Sequence, residues 1–193
     1  MPAVEPPLLE AGIERHRMGD LEGAARCYQR FLQSNPDHAG ACHLLGLVHA
    51  QAGERANALV LLNRALALDP YLVEAHCDLG DLHVKLDDPE QAAACFRCAT
   101  TADAGSARAW SRLGIAEQMC GNHERAIAAC QCALALEPGR IDARYTLACA
   151  LRDAGQLDAA VAAFRETLDR NPRHPEARPA LAECLARLQA RDA

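Results

Sequence analysis

Cys95-x2-Cys98 and Cys130-x-Cys132 are the closest-spaced thiols in a 193-residue chain with ten cysteines. Thiol pairs at such spacing are the raw material of zinc and iron sites. A tetrahedral site needs four convergent ligands, and nothing in the pattern supplies the other two for either pair, so no metal ligand is expected. Eight histidines and 26 acidic residues bring His43 beside Cys42 and His76 near Asp78. Neither neighbourhood has the nucleophile, base and orienting group of a catalytic triad. There is no G-x-S-x-G, P-loop or glycine-rich phosphate loop. The sequence assigns no catalytic residue and calls for no cofactor, which predicts a protein that is not an enzyme. His83 and His123 sit where helix ends are expected and could change charge there.

The formal net charge of −6 argues against a general nucleic-acid binder. Half of the residues are apolar but only 4% are aromatic, so alanine and leucine must do the packing. No run approaches the roughly 18 apolar residues of a membrane span. The first residues, MPAVEPPLLE, have neither a basic nor an apolar segment of a secretory signal, which gives the expectation of a cytoplasmic protein.

The elements that must position these side chains are set by a period of 34 residues. Gly12, Gly46, Gly80 and Gly114 are spaced at that step, as are Ala24, Ala58, Ala92, Ala126 and Ala160. Pro36, Pro70, Pro138 and Pro172 keep the register, with Ala104 in the place of a fifth. In ARAWSRLGIAEQMCGNHERAIAACQCALALEPGR, residues 107–140, apolar Trp110, Leu113 and Ile115 open one helix that ends at Gly121. A second begins after Asn122, read as its cap, and stops at Pro138. Gly114, Ala126 and Ala133 let the two helices approach closely, with Trp110 and Leu113 filling the space beside them.

A 34-residue unit with W/L-x2-L-G, then Ala, Ala and Pro resembles the tetratricopeptide repeat, in a bacterial-type array similar to those of scaffold proteins. The resemblance covers almost the whole chain. It implies an all-α, right-handed superhelical solenoid of helix-turn-helix repeats with one continuous core and a C-terminal capping helix. The expected division is a tail at 1–4, repeats at 5–38, 39–72, 73–106, 107–140 and 141–174, a capping helix at 175–190 and a tail at 191–193. Helices of the first repeat are expected near 6–18 and 21–34. In the third repeat Asp87 replaces the turn glycine, and Asp88-Pro89 supplies a cap and a first helical residue. The stretch from Thr100 to Ser106, which lacks the proline, reads as the softest connection. The cysteines fall on helices, where most serve as small buried hydrophobes and remain reduced thiols.

First helices of such arrays line a concave groove. Carried over by position, the groove includes His16, Arg17, His43, Leu47, Gln51, Glu74, Cys77, Asp81 and Lys85. It continues with Arg108, Ser111, Ile115, Gln118, Asp142, Tyr145, Cys149, Arg152 and Glu183. The peptide-binding set singled out is His43, Asp81, Lys85, Arg108, Ser111, Gln118, Tyr145 and Arg152, with Lys85, Arg108 and Arg152 along one side. That mixture of charges predicts a protein or peptide partner carrying acidic residues, and no nucleic acid or membrane. Self-association stays open. No asparagine falls on a first helix. That departs from the carboxylate clamp of chaperone-binding members and from the asparagine ladder of O-linked N-acetylglucosamine transferases, whose repeats the chain otherwise resembles. Two functional classes follow: an interaction scaffold or adaptor, and an accessory array of a glycosyltransferase or sulfotransferase system that recruits substrate protein. A thiol-dependent metal or redox protein is a third.

Overall fold

The computed structural model describes residues 7–192. Among them are eleven α-helices and no strand. They are α1 (Leu8–Arg17), α2 (Leu21–Ser34), α3 (Ala39–Gln51), α4 (Arg55–Leu68), α5 (Val73–Lys85), α6 (Pro89–Ala102), α7 (Ala107–Met119), α8 (His123–Leu136), α9 (Ile141–Asp153), α10 (Leu157–Arg170) and α11 (Ala177–Asp192). The expected tail at 1–4 lies outside the described residues, as does the very start of the helix read from residue 6.

Turns inside the helix pairs are made by residues in the left-handed region. Gly19, Gly53, Gly121 and Gly155 have φ of 79°, 81°, 75° and 79°. Asp87 takes the same place with φ 59°, a conformation aspartate tolerates better than most residues with a Cβ. Asp88 then caps α6 by accepting from the Gln91 N–H at 3.2 Å, ahead of Pro89 in the first turn. Asp20 does the same for α2, accepting from Gly23 N–H at 2.8 Å. Asn122 departs from its expected role. It occupies the N-cap of α8, but its side chain makes no cap bond. Its Nδ2 donates instead to Glu117 Oε2 at 2.8 Å.

The chain divides into two compact units, with the boundary between Leu86 and Asp87. The boundary falls inside the third helix pair, at the turn where Asp87 has replaced glycine. In the first unit, Ala24 and Tyr28 of α2 pack with Leu45 and Val48 of α3, and Cys42 with Ala65 and Ala75. In the second unit, one cluster runs from Ala126 and Ile127 through Ala148, Leu151, Ala160 and Phe164 to Ala180 and Cys184 of α11. Close approach within pairs rests on missing side chains. A Cβ on Gly12 would stand 2.5 Å from Tyr28 Cε1, and one on Gly114 would stand 2.4 Å from Cys130 Sγ. Trp110 departs from the packing role expected of it. It is only half-buried, and its Nε1 donates to Ala104 O at 2.9 Å.

That bond recurs. His76 Nε2 donates to Pro70 O at 2.9 Å, Arg144 Nη2 to Pro138 O at 2.6 Å and Arg178 Nη2 to Pro172 O at 3.4 Å. Each residue lies six positions after the carbonyl that it holds. The stretch Thr100–Ser106 is therefore tied like the proline-bearing connections, with further bonds from Gly105 N–H to Asp103 Oδ1 and from Ala109 N–H to Ser106 Oγ. The reason for expecting softness there, the absent proline, is offset by the indole.

Candidate functional site

First helices of the first unit are α1, α3 and α5. Their polar side chains are joined at an offset of 35 residues, one helix to the next. His16 Nε2 meets Gln51 Oε1 at 3.0 Å, and His43 Nε2 meets Asp78 Oδ2 at 2.7 Å. His43 is only 8% exposed, so the residue expected to meet a partner is largely used in joining α3 to α5. Asp81 is half-buried and engaged, Cys77 is buried, and Leu47 is half-buried. Lys85, Glu74 and Arg17 are exposed. Arg17 lies 3.9 Å from Glu14, within its own helix.

The second unit repeats the scheme on α7, α9 and α11. Gln118 Nε2 donates to Asp153 Oδ2 at 2.6 Å, again at an offset of 35. Ser111 Oγ donates to Asp142 Oδ2 at 2.9 Å. Ser111 has no exposed surface, so it offers no atom to a partner, contrary to expectation. Arg108 is exposed and Ile115 half-buried.

Arg152 and Tyr145 are turned toward α11. Arg152 Nε donates to Asp153 Oδ1 at 2.8 Å, and its Nη1 lies 3.6 Å from Glu183 Oε2. Burial opposes the ionised form of Asp153, but the Arg152 hydrogen bond and charge outweigh it and hold the carboxyl below its ordinary value. The Tyr145 ring stacks on His174 at 4.4 Å between centroids and lies 6.0 Å from Phe164. Burial pushes its phenol up, as do hydrogen bonds with Glu176 and Cys149. The expected aromatic anchor and one expected groove cation thus hold the last helix in place. Arg108 and Arg152 belong to the second unit and Lys85 to the first.

The sequence reading passed over a buried acid in the second unit, which is held by exposed Arg97 and Asn122. Glu117 of α7 is 2% exposed, and its Oε1 accepts from Arg97 Nη1 of α6 at 2.7 Å. Its Oε2 accepts from Asn122. The signal for it was a charged residue three places after Gly114, where the repeat pattern has tyrosine.

Among the described residues, no three His, Cys, Asp or Glu side chains are grouped as a metal would require. Cys98 and Cys132 are exposed, whereas Cys42, Cys77, Cys130 and Cys184 are buried. Burial pushes the Cys130 thiol up to about 12, which keeps it protonated and unreactive at neutral pH. No described helix is long and apolar enough to cross a membrane.

Comparison with known proteins agrees with this architecture. Residues 9–72, 77–141 and 145–193 match the tetratricopeptide repeat profile. The crystal structure of MamA superposes with a TM-score of 0.77 at 26% identity, over 86% of this chain and 96% of that one. YrrB, described as a TPR protein with an unusual peptide-binding site, gives 0.78 at 22% identity over 86% of each chain, a likeness of fold. The CTR9 homolog of Arabidopsis thaliana is 28% identical over 95 residues, 49% of this chain and 9% of its own length. Other curated relatives are matched over 18% and 12% of their lengths, so the chain spans a small part of the proteins it resembles. A repeat profile across nearly all of the sequence, on eleven helices paired by left-handed turns, leads to one conclusion: the chain belongs to the tetratricopeptide repeat family.

Proposed function

We propose that the protein is a non-catalytic scaffold or adaptor that holds a peptide or helix of a partner protein against its first helices. The observation that carries this reading is the set of polar side chains across those helices, already fixed to one another in each unit. His16–Gln51, His43–Asp78 and Gln118–Asp153 hold their groups at 2.6–3.0 Å, so a partner meets an ordered surface with less side-chain entropy to lose. Beside these pairs stand the exposed cations Lys85 in the first unit and Arg108 in the second. They favour a partner segment with acidic residues, selected by complementary charge.

The test is capture of a partner from the native source by the intact chain, followed by titration against variants. Lys85→Glu and Arg108→Glu should each weaken binding by about tenfold while leaving the circular dichroism unchanged, because both are surface charges. The loss should shrink as salt rises, exposed charges being screened over about 8–10 Å near physiological ionic strength. Unchanged affinity in both variants would sink the first-helix reading.

A further inference from the structure

We infer that Cys95 and Cys98, in the second unit, form a redox-responsive dithiol, which a small disulfide closes into a bridge that loosens α6. This goes beyond the first-helix reading and does not rest on it.

Helix α6 runs unbroken from Pro89 to Ala102, and both thiols belong to it, at i and i+3. Residues at that spacing share a helix face, with Cα atoms about 5 Å apart and Cβ atoms about 5–6 Å apart. The Cα separation already suits a disulfide, for which about 4.4–6.8 Å is usual. The Cβ separation exceeds the usual 3.5–4.5 Å by about 1 Å or more. Tightening one turn toward 3₁₀ geometry, in which i and i+3 eclipse, closes that gap. Cys98 is exposed and Cys95 half-buried, so a dissolved reagent reaches Cys98 first.

The other close-spaced pair does not offer this. Cys130 and Cys132 sit at i and i+2, which do not face each other, and one is buried while the other is exposed. Burial pushes up the thiols of Cys42, Cys120, Cys149 and Cys184 as it does that of Cys130, which disfavours their reactive thiolates. At α6 the Cys98 thiolate attacks one sulfur of oxidised glutathione, the S–S bond breaks, and one glutathione leaves as its thiol. The Cys95 thiolate then attacks Cys98 Sγ, the mixed disulfide breaks, and the second glutathione leaves. Two protein thiols have given up two electrons and two protons, and the oxidant has become two thiols.

The residues between the two thiols give the bridge its effect. Phe96 is fully buried, and Arg97 Nη1 donates to the buried Glu117 carboxylate at 2.7 Å. A tightened turn moves both side chains. The Arg97 carbonyl already accepts from the hydroxyls of Thr100 and Thr101 at 3.0 and 2.9 Å, side-chain bonds of the kind that accompany a bend in a helix. Closure of the bridge draws Arg97 away from Glu117, and reduction restores the pair.

The test is to equilibrate the intact chain in buffers of reduced and oxidised glutathione, block remaining thiols with iodoacetamide and digest with trypsin. Cleavage after Arg97 separates residues 86–97 from 98–108, so the bridge joins two peptides that otherwise part. The joined pair should accumulate as oxidised glutathione rises and vanish with dithiothreitol. The oxidised chain should melt about 2–4 °C lower than the reduced one. Cys98→Ser should abolish the link and the melting shift, and Cys132→Ser should leave both. With Arg97 and Glu117 both replaced by leucine, the link should still form and the shift should shrink. Glutathione retained on Cys98 without a link to 86–97 overturns the proposal, as does Cys98 joined instead to Cys132 or to a second chain. A link that forms with no melting shift, or an undiminished shift in the leucine double variant, overturns the loosening of α6.

Discussion

Glu117 stands where the repeat pattern calls for tyrosine, three residues after the small residue of the first helix. The chain fills that slot with Arg15, His49, His83, Glu117 and Leu151 in turn. Arg15 and His49 each pair with the residue five positions on, Arg15 with Asp20 at 2.9 Å and His49 with Glu54 at 2.7 Å. In the fourth repeat the acid and its partner are exchanged, and Arg97 is drawn in to compensate the carboxylate. Truncation of Arg97 to alanine should cost about 2–3 kcal/mol, since it leaves an acid in the core with Asn122 alone. Replacing both Arg97 and Glu117 with leucine should recover most of that loss in urea denaturation, because the slot holds Leu151 in the next repeat. A double variant as unstable as Arg97→Ala would show that the slot itself cannot accept an apolar group. Only the departure from tyrosine was legible beforehand: a glutamate on a helix reads as a solvated side chain until the packing is known.

Helices were more legible, and their ends most of all. Glycine and proline act through backbone geometry that depends on little else, so the turns at Gly19, Gly53, Gly121 and Gly155 follow from sequence position. The Asp87-Asp88-Pro89 substitution was equally readable, each residue having a local conformational reason. Asn122 and Trp110 were misread because their side chains answer to partners distant from the local pattern, a buried carboxylate and a loop carbonyl. At the contact of α7 with α8, Gly114→Leu should lower stability by about 1–3 kcal/mol, seen as a lower melting temperature. Gly114→Ala should cost less in a Cys130→Ala background than alone, since the atom in its way is Cys130 Sγ at 2.4 Å. An unchanged melting temperature for Gly114→Leu would mean that these helices do not touch there.

For the whole molecule, the 34-residue period made the helical-repeat fold readable, because every unit restates the same spacing. The division at Leu86 and Asp87 was not readable. The period is the same on both sides of it. The candidate site was legible as a surface and not as a set of contacts. His43, Ser111, Gln118, Tyr145 and Arg152 do lie on first helices, but hydrogen bonds and stacking there join each helix to its neighbours. Lys85 and Arg108 are exposed among the eight. The measurement that bears most directly on the first-helix reading is hydrogen–deuterium exchange of the intact chain with and without its captured partner. The account predicts slowed exchange in first helices, α3 and α5 in the first unit and α7 and α9 in the second, where binding rigidifies an already ordered surface. Slowing confined to the second helices, α2, α4, α6, α8 and α10, would contradict it.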